Sequence, residues 1–358
     1  MRLAWIEVRD FRNHARTRLE VPAGLTAVVG ANAHGKTNLL EAAHYLLTLS
    51  SPRTSADQPL IREGAGSAFL RGEVETAAGR VLVEVEIRPS GANRIQVNRS
   101  SVRRKRDLRS RVRSVFFIPE DLAIVAGGPE ERRRFLDEAA YGLWPMREGE
   151  RRAYDRTLRQ RNRLLKEHEG PGAPAELEAW DVELISAGVL VTAARAAAAE
   201  RVAPRASQRY EGLSGDRLLV AYAPSVAGKD LEAAFREGLA ARRRDELIRR
   251  TTLVGPHRDD LELAVRGRTA RRFASHGEAW AAALCFRLGL TGALEAEVGE
   301  PPVLLLDDPF SGIDPERRRR LAASLSGGPQ TLLAVPDETQ IPDGAVVWEV
   351  RDGAATPR

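Results

Sequence analysis

Gly30-Ala31-Asn32-Ala33-His34-Gly35-Lys36-Thr37 satisfies the pattern G-x-x-x-x-G-K-[ST] at every fixed position. The β-branched apolar run Leu25-Thr26-Ala27-Val28-Val29 precedes it, as a buried strand would. Asn38-Leu39-Leu40-Glu41-Ala42-Ala43 follows with the composition of a helix start. Strand, glycine loop and helix form the context in which this pattern cradles phosphate. The glycines let successive N–H groups curl inward, and the helix N-terminus adds its positive dipole end. The expected ligand is ATP with Mg²⁺. Residues Gly30, Ala31, Asn32, Ala33, His34, Gly35, Lys36, Thr37 and Asn38 would line it, with Lys36 on the β- and γ-phosphates and the Thr37 hydroxyl on the metal.

A second motif completes the first. Val303-Leu304-Leu305-Leu306-Asp307-Asp308 is an apolar strand ending in two carboxylates, the Walker B arrangement. Asp307 is the expected Mg²⁺ ligand and Asp308 the carboxylate that polarises the attacking water. Glu is the usual second carboxylate, and the shorter Asp points to slow hydrolysis. Pro309-Phe310-Ser311-Gly312-Ile313-Asp314 has the form of a D-loop. Ala274-Ser275-His276-Gly277-Glu278 precedes a helix, as an ABC signature does, with Ser275 and Gly277 placed to meet a γ-phosphate on a partner subunit. The order of these four motifs is more specific than any one of them. It implies an α/β fold, an ABC-type P-loop ATPase head built from both ends of the chain.

Between those ends the period changes. Glu130–Tyr141, Arg147–Glu167 and Ala175–Arg201 are rich in Arg, Glu, Ala and Leu, and Pro204 is expected to close the run. Leu177, Leu184, Val191 and Ala198 recur every seventh residue, with Trp180, Ala187 and Ala194 as companions, the seam of a short coiled-coil-like hairpin. The expected division is 1–125 for the N-terminal part of the head, 126–249 for an inserted helical arm and 250–358 for the rest of the head. The tail Arg351–Arg358 reads as frayed.

The chain has 358 residues and a net charge of +5, which fits an anionic partner. Arg103, Arg104, Lys105, Arg106 and Arg109 stand in its densest basic run and are the candidate contacts to duplex DNA. No recognition-helix motif accompanies them, so sequence-specific readout is not expected, and binding should depend steeply on salt. A single cysteine, Cys285, allows no internal disulfide, and neither a secretory signal nor a run of about 18 apolar residues is evident. The expected setting is a reducing cytoplasm with no membrane.

The segments Glu7-Val8-Arg9-Asp10-Phe11-Arg12-Asn13, Gly30–Ala42, Phe116–Asp137, Val254–Leu263 with its block Gly255-Pro256-His257-Arg258-Asp259-Asp260, and Leu304–Asp314 occur in that order. Together they resemble the RecF family of bacterial recombination-mediator ATPases, of the ABC/SMC class. The resemblance implies a homodimer closed by ATP, binding to double-stranded DNA near gaps and single-strand/double-strand junctions, work with a RecR-type mediator protein and help in loading RecA. It also marks departures. Ala279 and Trp280 stand where the family's signature has a polar pair, no glutamine marks a Q-loop near Ile118–Asp121, and no clear switch residue follows Leu332–Val335. The rival reading is a nucleotide-gated DNA-binding module with negligible hydrolysis. A transporter subunit and a long-armed SMC protein fit the insert less well. His257 reads as a structural hydrogen-bonding residue with no assigned role in chemistry.

Overall fold

The computed structural model describes residues 1–170 and 172–358. The first third runs β1 (Arg2–Phe11), β2 (His14–Glu20), β3 (Leu25–Val29), α1 (Lys36–Thr48), β4 (Ala68–Thr76), β5 (Gly79–Ile87), β6 (Arg94–Val97), β7 (Ser100–Ser101), α2 (Lys105–Arg109) and β8 (Ser114–Phe117). The middle is α3 (Ala123–Ala126), α4 (Pro129–Leu143), α5 (Glu148–Glu167), α6 (Leu177–Ser214), β9 (Leu218–Ala223) and α7 (Leu231–Arg249). The chain closes with β10 (Asp260–Val265), β11 (Arg268–Thr269), α8 (Ala270–Phe273), α9 (His276–Val298), β12 (Val303–Asp307), α10 (Pro315–Leu325), β13 (Thr331–Val335), β14 (Val346–Arg351) and β15 (Ala354–Pro357).

A six-stranded sheet in the order β15-β14-β3-β13-β12-β8 positions the site, and it explains the unbroken apolar runs of its strands. Strands β8, β12, β13, β3 and β14 are parallel, so both faces must be covered. Alternate residues serve two cores. Val303 and Leu305 face α1 and the antiparallel sheet β2-β1-β4-β5-β6-β7, while Leu304 and Leu306 face α6 and α9. Each such side chain removed from water contributes about 1.5–3 kcal/mol. Strand β3 thereby brings the phosphate loop, and β12 its two carboxylates, to the same edge of one sheet.

Two local expectations fail for long-range reasons. Helix α6 does not stop at Pro204 but continues to Ser214. The proline sacrifices one backbone hydrogen bond, and the turn beyond it is held by packing on α9. A Cβ on Gly289 would lie 2.8–3.0 Å from Ala206 N, Cα and Cβ, and Ala206, Tyr210 and Leu213 are buried there. The terminal tail is not frayed either. Ala354–Pro357 pairs antiparallel with Trp348–Arg351, and the Gly353 N–H donates to the His34 carbonyl at 3.0 Å.

The seven-residue seam is present: Leu177, Leu184, Val191 and Ala198 are all buried. Its N-terminal half packs with Tyr154, Phe235 and Leu239 of α5 and α7. Its C-terminal half lies against α9. By length and composition α6 could cross a membrane, with a mean hydropathy of 1.5 in its most apolar window, yet half of that window is buried in the protein. Strand β9, from the helical middle of the chain, pairs along its whole length with β10, so that region shares a sheet with the segment that follows it.

Candidate nucleotide site and its neighbours

Two segments remote in sequence clamp the phosphate loop, residues 13–14 and 350–353. Asn13, in the β1–β2 turn, donates from Nδ2 to the His34 carbonyl at 3.1 Å and accepts from Asn38 Nδ2 at 2.8 Å. Next to it, the buried His14 ring sits with Nε2 2.9 Å from the Gly35 carbonyl and Nδ1 2.8 Å from the Gly353 carbonyl. Burial lowers the His14 pKa, favouring the neutral ring. These contacts leave no room for side chains. A Cβ on Gly30 would fall 2.3 Å from the Val350 carbonyl oxygen, and one on Gly35, at φ 111°, would fall 2.7 Å from Asn13. Ala31, Asn32 and Ala33 stay exposed at the mouth.

The Thr37 hydroxyl meets both Asp307 carboxylate oxygens, at 2.9 and 2.8 Å, across the full span of the chain. A hydroxyl and a carboxylate on one spot are a hard-oxygen donor pair. Mg²⁺ takes such a pair together with water and nucleotide phosphates, not an all-protein cage. Lys36 folds back on the loop, donating to the Gly30 carbonyl at 2.6 Å and the Ala31 carbonyl at 3.0 Å. Burial lowers its pKa, against the pull of Asp307 and Asp308. Burial likewise pushes the Asp307 carboxyl up to about 6, the Thr37 hydroxyl opposing and the Asp308 charge adding. Asp308 sits at φ 47°, a strained conformation for a non-glycine residue, with its N–H held by the Ala334 carbonyl at 3.0 Å. Burial raises its pKa and Lys36 lowers it, and no hydrogen bond to its side chain occurs among the described residues.

One further pair of cations borders the loop. Arg12 and Arg53 both grip the fully buried Glu41 carboxylate of α1, at 2.8 and 3.1 Å, and Arg53 also donates to Asn38 Oδ1 at 2.9 Å. Arg53 is near enough to lower the Asp307 pKa.

The profile of the RecF/RecN/SMC N-terminal domain family matches residues 2–336. A DNA replication and repair protein RecF from Streptomyces avermitilis is 42% identical over 356 residues, covering 96% of this chain and 95% of the relative. Its namesake from Acidothermus cellulolyticus is 41% identical over 358 residues, with 96% of each chain covered. The chain belongs to the RecF family. Its fold superimposes on a solved structure described as the recombination mediator protein RecF-ATP in the RecFOR pathway, with a TM-score of 0.89 at 30% identity, covering 99% of this chain and 97% of that one. An Smc head domain from Pyrococcus furiosus, at TM-score 0.57, 16% identity and coverage of 99% and 95%, shares the fold.

In this RecF-family chain, the segment Ala274–Trp280, expected from the sequence to be an altered signature, is fixed by local contacts. Ser275 caps α9 reciprocally with Glu278, the Ser275 N–H donating to Glu278 Oε2 at 2.8 Å. Trp280 is buried, its indole N–H donating to the Pro309 carbonyl at 3.2 Å and its ring edge-on to Phe117 at 5.3 Å. Ala279 is buried beside it. Both positions therefore belong to the core under the D-loop. Gly277 lies close against it, where a Cβ would stand 2.7 Å from the Gly312 carbonyl. No hydrogen bond among the described residues links Ser275 or Gly277 to residues 30–38. At Ile118–Asp121, where the sequence has no glutamine, Asp121 accepts from Arg287 at 2.7 and 2.8 Å and from the Ile118 N–H at 3.1 Å. After β13, the Asp337 carboxylate is close enough to raise the Asp308 pKa.

The block Gly255–Asp260 packs against α5, α6 and β9, in a network distinct from the loop. The buried Arg195 of α6 donates to Asp137 at 2.7 and 3.0 Å, to Asp259 at 3.1 Å and to the Pro256 carbonyl at 2.6 Å. Asp259 also accepts from Tyr222 and from the Ser225 N–H. His257 bridges the Tyr154 hydroxyl and the Thr252 carbonyl, at 2.6 and 3.0 Å. Burial lowers its pKa to about 4.

The basic run is divided by the fold. Arg103 and Arg104 are exposed and Arg106 is half-buried, whereas Arg109 turns inward to the Thr48 carbonyl at 2.9 Å and lines, with Lys105, a cavity at the C-terminal end of α1. Sequence reasoning missed Asn13 and His14 as loop clamps, and Arg53 and Gly353 entirely. Asn13 lies in a segment that carries the family resemblance. The other three have no local signal.

Proposed function

We propose that this chain is an ATP-switched DNA repair protein of the RecFOR type. Its ATPase head comprises residues 1–125 and 250–358 and carries the arm of 126–249. The convergence of Thr37 and Asp307 on one point beside Lys36 carries the reading. Gly30–Asn38 cradle the triphosphate of ATP, and Thr37 with Asp307 would hold Mg²⁺, which supplies charge neutralisation on the β- and γ-phosphates. Asp308 orients water for attack on the γ-phosphorus and accepts its proton. Ser275 and Gly277 at the head of α9 meet the phosphates of a second copy, so ATP closes a homodimer. Closure completes a surface for duplex DNA near gaps and junctions, with the exposed Arg103 and Arg104 leading and Arg106 beside them. A RecR-type mediator, RecA loading and a cytoplasmic setting come with the family likeness.

Slow hydrolysis then acts as the release step. Asp308→Asn should retain ATP affinity and lower turnover by about 10²–10⁴-fold, the range for loss of a general base. It should also prolong the ATP-bound dimer. Unchanged turnover would favour the rival, a nucleotide-gated module that scarcely hydrolyses ATP.

A further inference from the structure

Three cations of the basic run share a cavity of about 630 Å³, lined by the C-terminal end of α1 and by α2, α4 and α9. Lys105 makes no hydrogen bond among the described residues. Arg109 donates to the Thr48 carbonyl at 2.9 Å and Ser50 Oγ at 3.0 Å, and the buried Arg113 to the Gly142 and Val112 carbonyls at 2.8 and 3.2 Å. None of the three has an ion-pair partner among the described residues. The carboxylates on the same walls are already engaged: Asp121 and Glu138 with Arg287, Asp137 with Arg151 and Arg195, Glu148 with Arg152. Glu130 and Arg133, which feel each other's charge, offset one another. The cavity is therefore left with an excess of positive charge. The Tyr141 hydroxyl, on the same wall, is buried and has no partner.

We propose that this cavity binds a compact phosphate-bearing anion, from pyrophosphate to a nucleoside diphosphate in size, held by Lys105, Arg109 and Arg113 with Tyr141 donating to a phosphoryl oxygen. The volume falls within the range of about 300–1,000 Å³ usual for small-ligand sites. Uncompensated buried cations are costly, and charge-assisted hydrogen bonds to an anion relieve that cost. Burial lowers the pKa of all three, Arg113 to about 10, and an anion at this point opposes that shift. The site is separate from the phosphate loop. Helix α1 starts at Lys36 and ends at Thr48, placing the two about 20 Å apart at 1.5 Å per residue. Because Arg109 holds the last carbonyl of α1, an anion that draws Arg109 away acts on the helix that carries the loop. The inference stands independently of whether ATP is hydrolysed.

The test is equilibrium dialysis of labelled pyrophosphate against the full chain, its phosphate loop saturated with a non-hydrolysable ATP analogue. One saturable site is expected. Lys105→Ala should weaken it at least tenfold with an unchanged melting temperature, since that side chain has no hydrogen-bond or ion-pair partner among the described residues. Arg109→Gln should weaken it as well. Absence of saturable binding with the loop filled, or equal affinity in Lys105→Ala, would overturn the proposal. So would a loss of duplex-DNA affinity in Lys105→Ala as large as in Arg103→Ala with pyrophosphate binding intact, which would assign Lys105 to DNA.

Discussion

The chain holds two Asp–Asp doublets that look alike in sequence and behave oppositely in the fold. Asp259–Asp260 is used up internally. Asp259 accepts from Arg195, Tyr222 and the Ser225 N–H, and Asp260 accepts both arms of Arg132, at 2.6 and 3.0 Å, and its neighbour's N–H. Asp307–Asp308 holds back. Among the described residues a single hydroxyl satisfies Asp307, and Asp308 is left without a side-chain hydrogen bond at a strained φ of 47°. Carboxylates whose lone pairs are already taken give a fold its joints. Carboxylates kept short of partners beside a glycine loop are available to a ligand. Partner supply, more than residue type, separates structure from chemistry here.

The largest effect should come from breaking the saturated doublet. Asp259→Ala leaves Arg195 buried with one carboxylate fewer and should lower unfolding free energy by about 3–5 kcal/mol, measured by urea denaturation. A loss below about 1 kcal/mol would mean that Asp137 alone satisfies Arg195. The mirror experiment is Asp307→Asn. Without nucleotide it should shift stability by no more than about 1 kcal/mol, because Asp307 has no ion-pair partner among the described residues, while Mg²⁺-dependent ATP binding is lost. If Asp307→Asn unfolds the protein as Asp259→Ala does, the contrast between the doublets collapses.

A smaller effect separates the two sites by pH. His257 is neutral in the fold, its pKa lowered to about 4 by burial, with Arg258, Arg133 and Arg151 adding to the shift and the Thr252 carbonyl opposing it. The unfolded chain takes up that proton near the ordinary value of 6.5. The contribution of His257 to stability is thus fully present above pH 6.5 and is lost as pH falls toward 4. His257→Gln should flatten the decline in denaturation midpoint between neutral pH and about pH 4.5. An equally steep decline in the variant would remove His257 from the account.

The phosphate loop and the carboxylate strand were legible because each is a local pattern. Val303–Leu306 is apolar throughout since both faces of its sheet are covered, and Gly30 and Gly35 stand where any Cβ would collide. What escaped reading depends on distant partners. Pro204 ends a helix by local rules, yet α9 carries α6 past it. The tail orders because Gly353 meets His34 and His14, more than 300 residues earlier. Trp280 reads as a broken signature until Pro309 is seen to accept its indole N–H. The basic run reads as one strip because sequence does not reveal which arginines turn inward.

The measurement that tests the central claim is sedimentation velocity of the intact chain with Mg-ATP, with and without duplex DNA, beside Lys36→Met. A monomer-to-dimer shift that requires ATP and Lys36, and strengthens with DNA, is the predicted result. A chain that binds ATP yet remains a monomer under all these conditions would contradict it, because Ser275 and Gly277 would then have no partner's phosphates to meet.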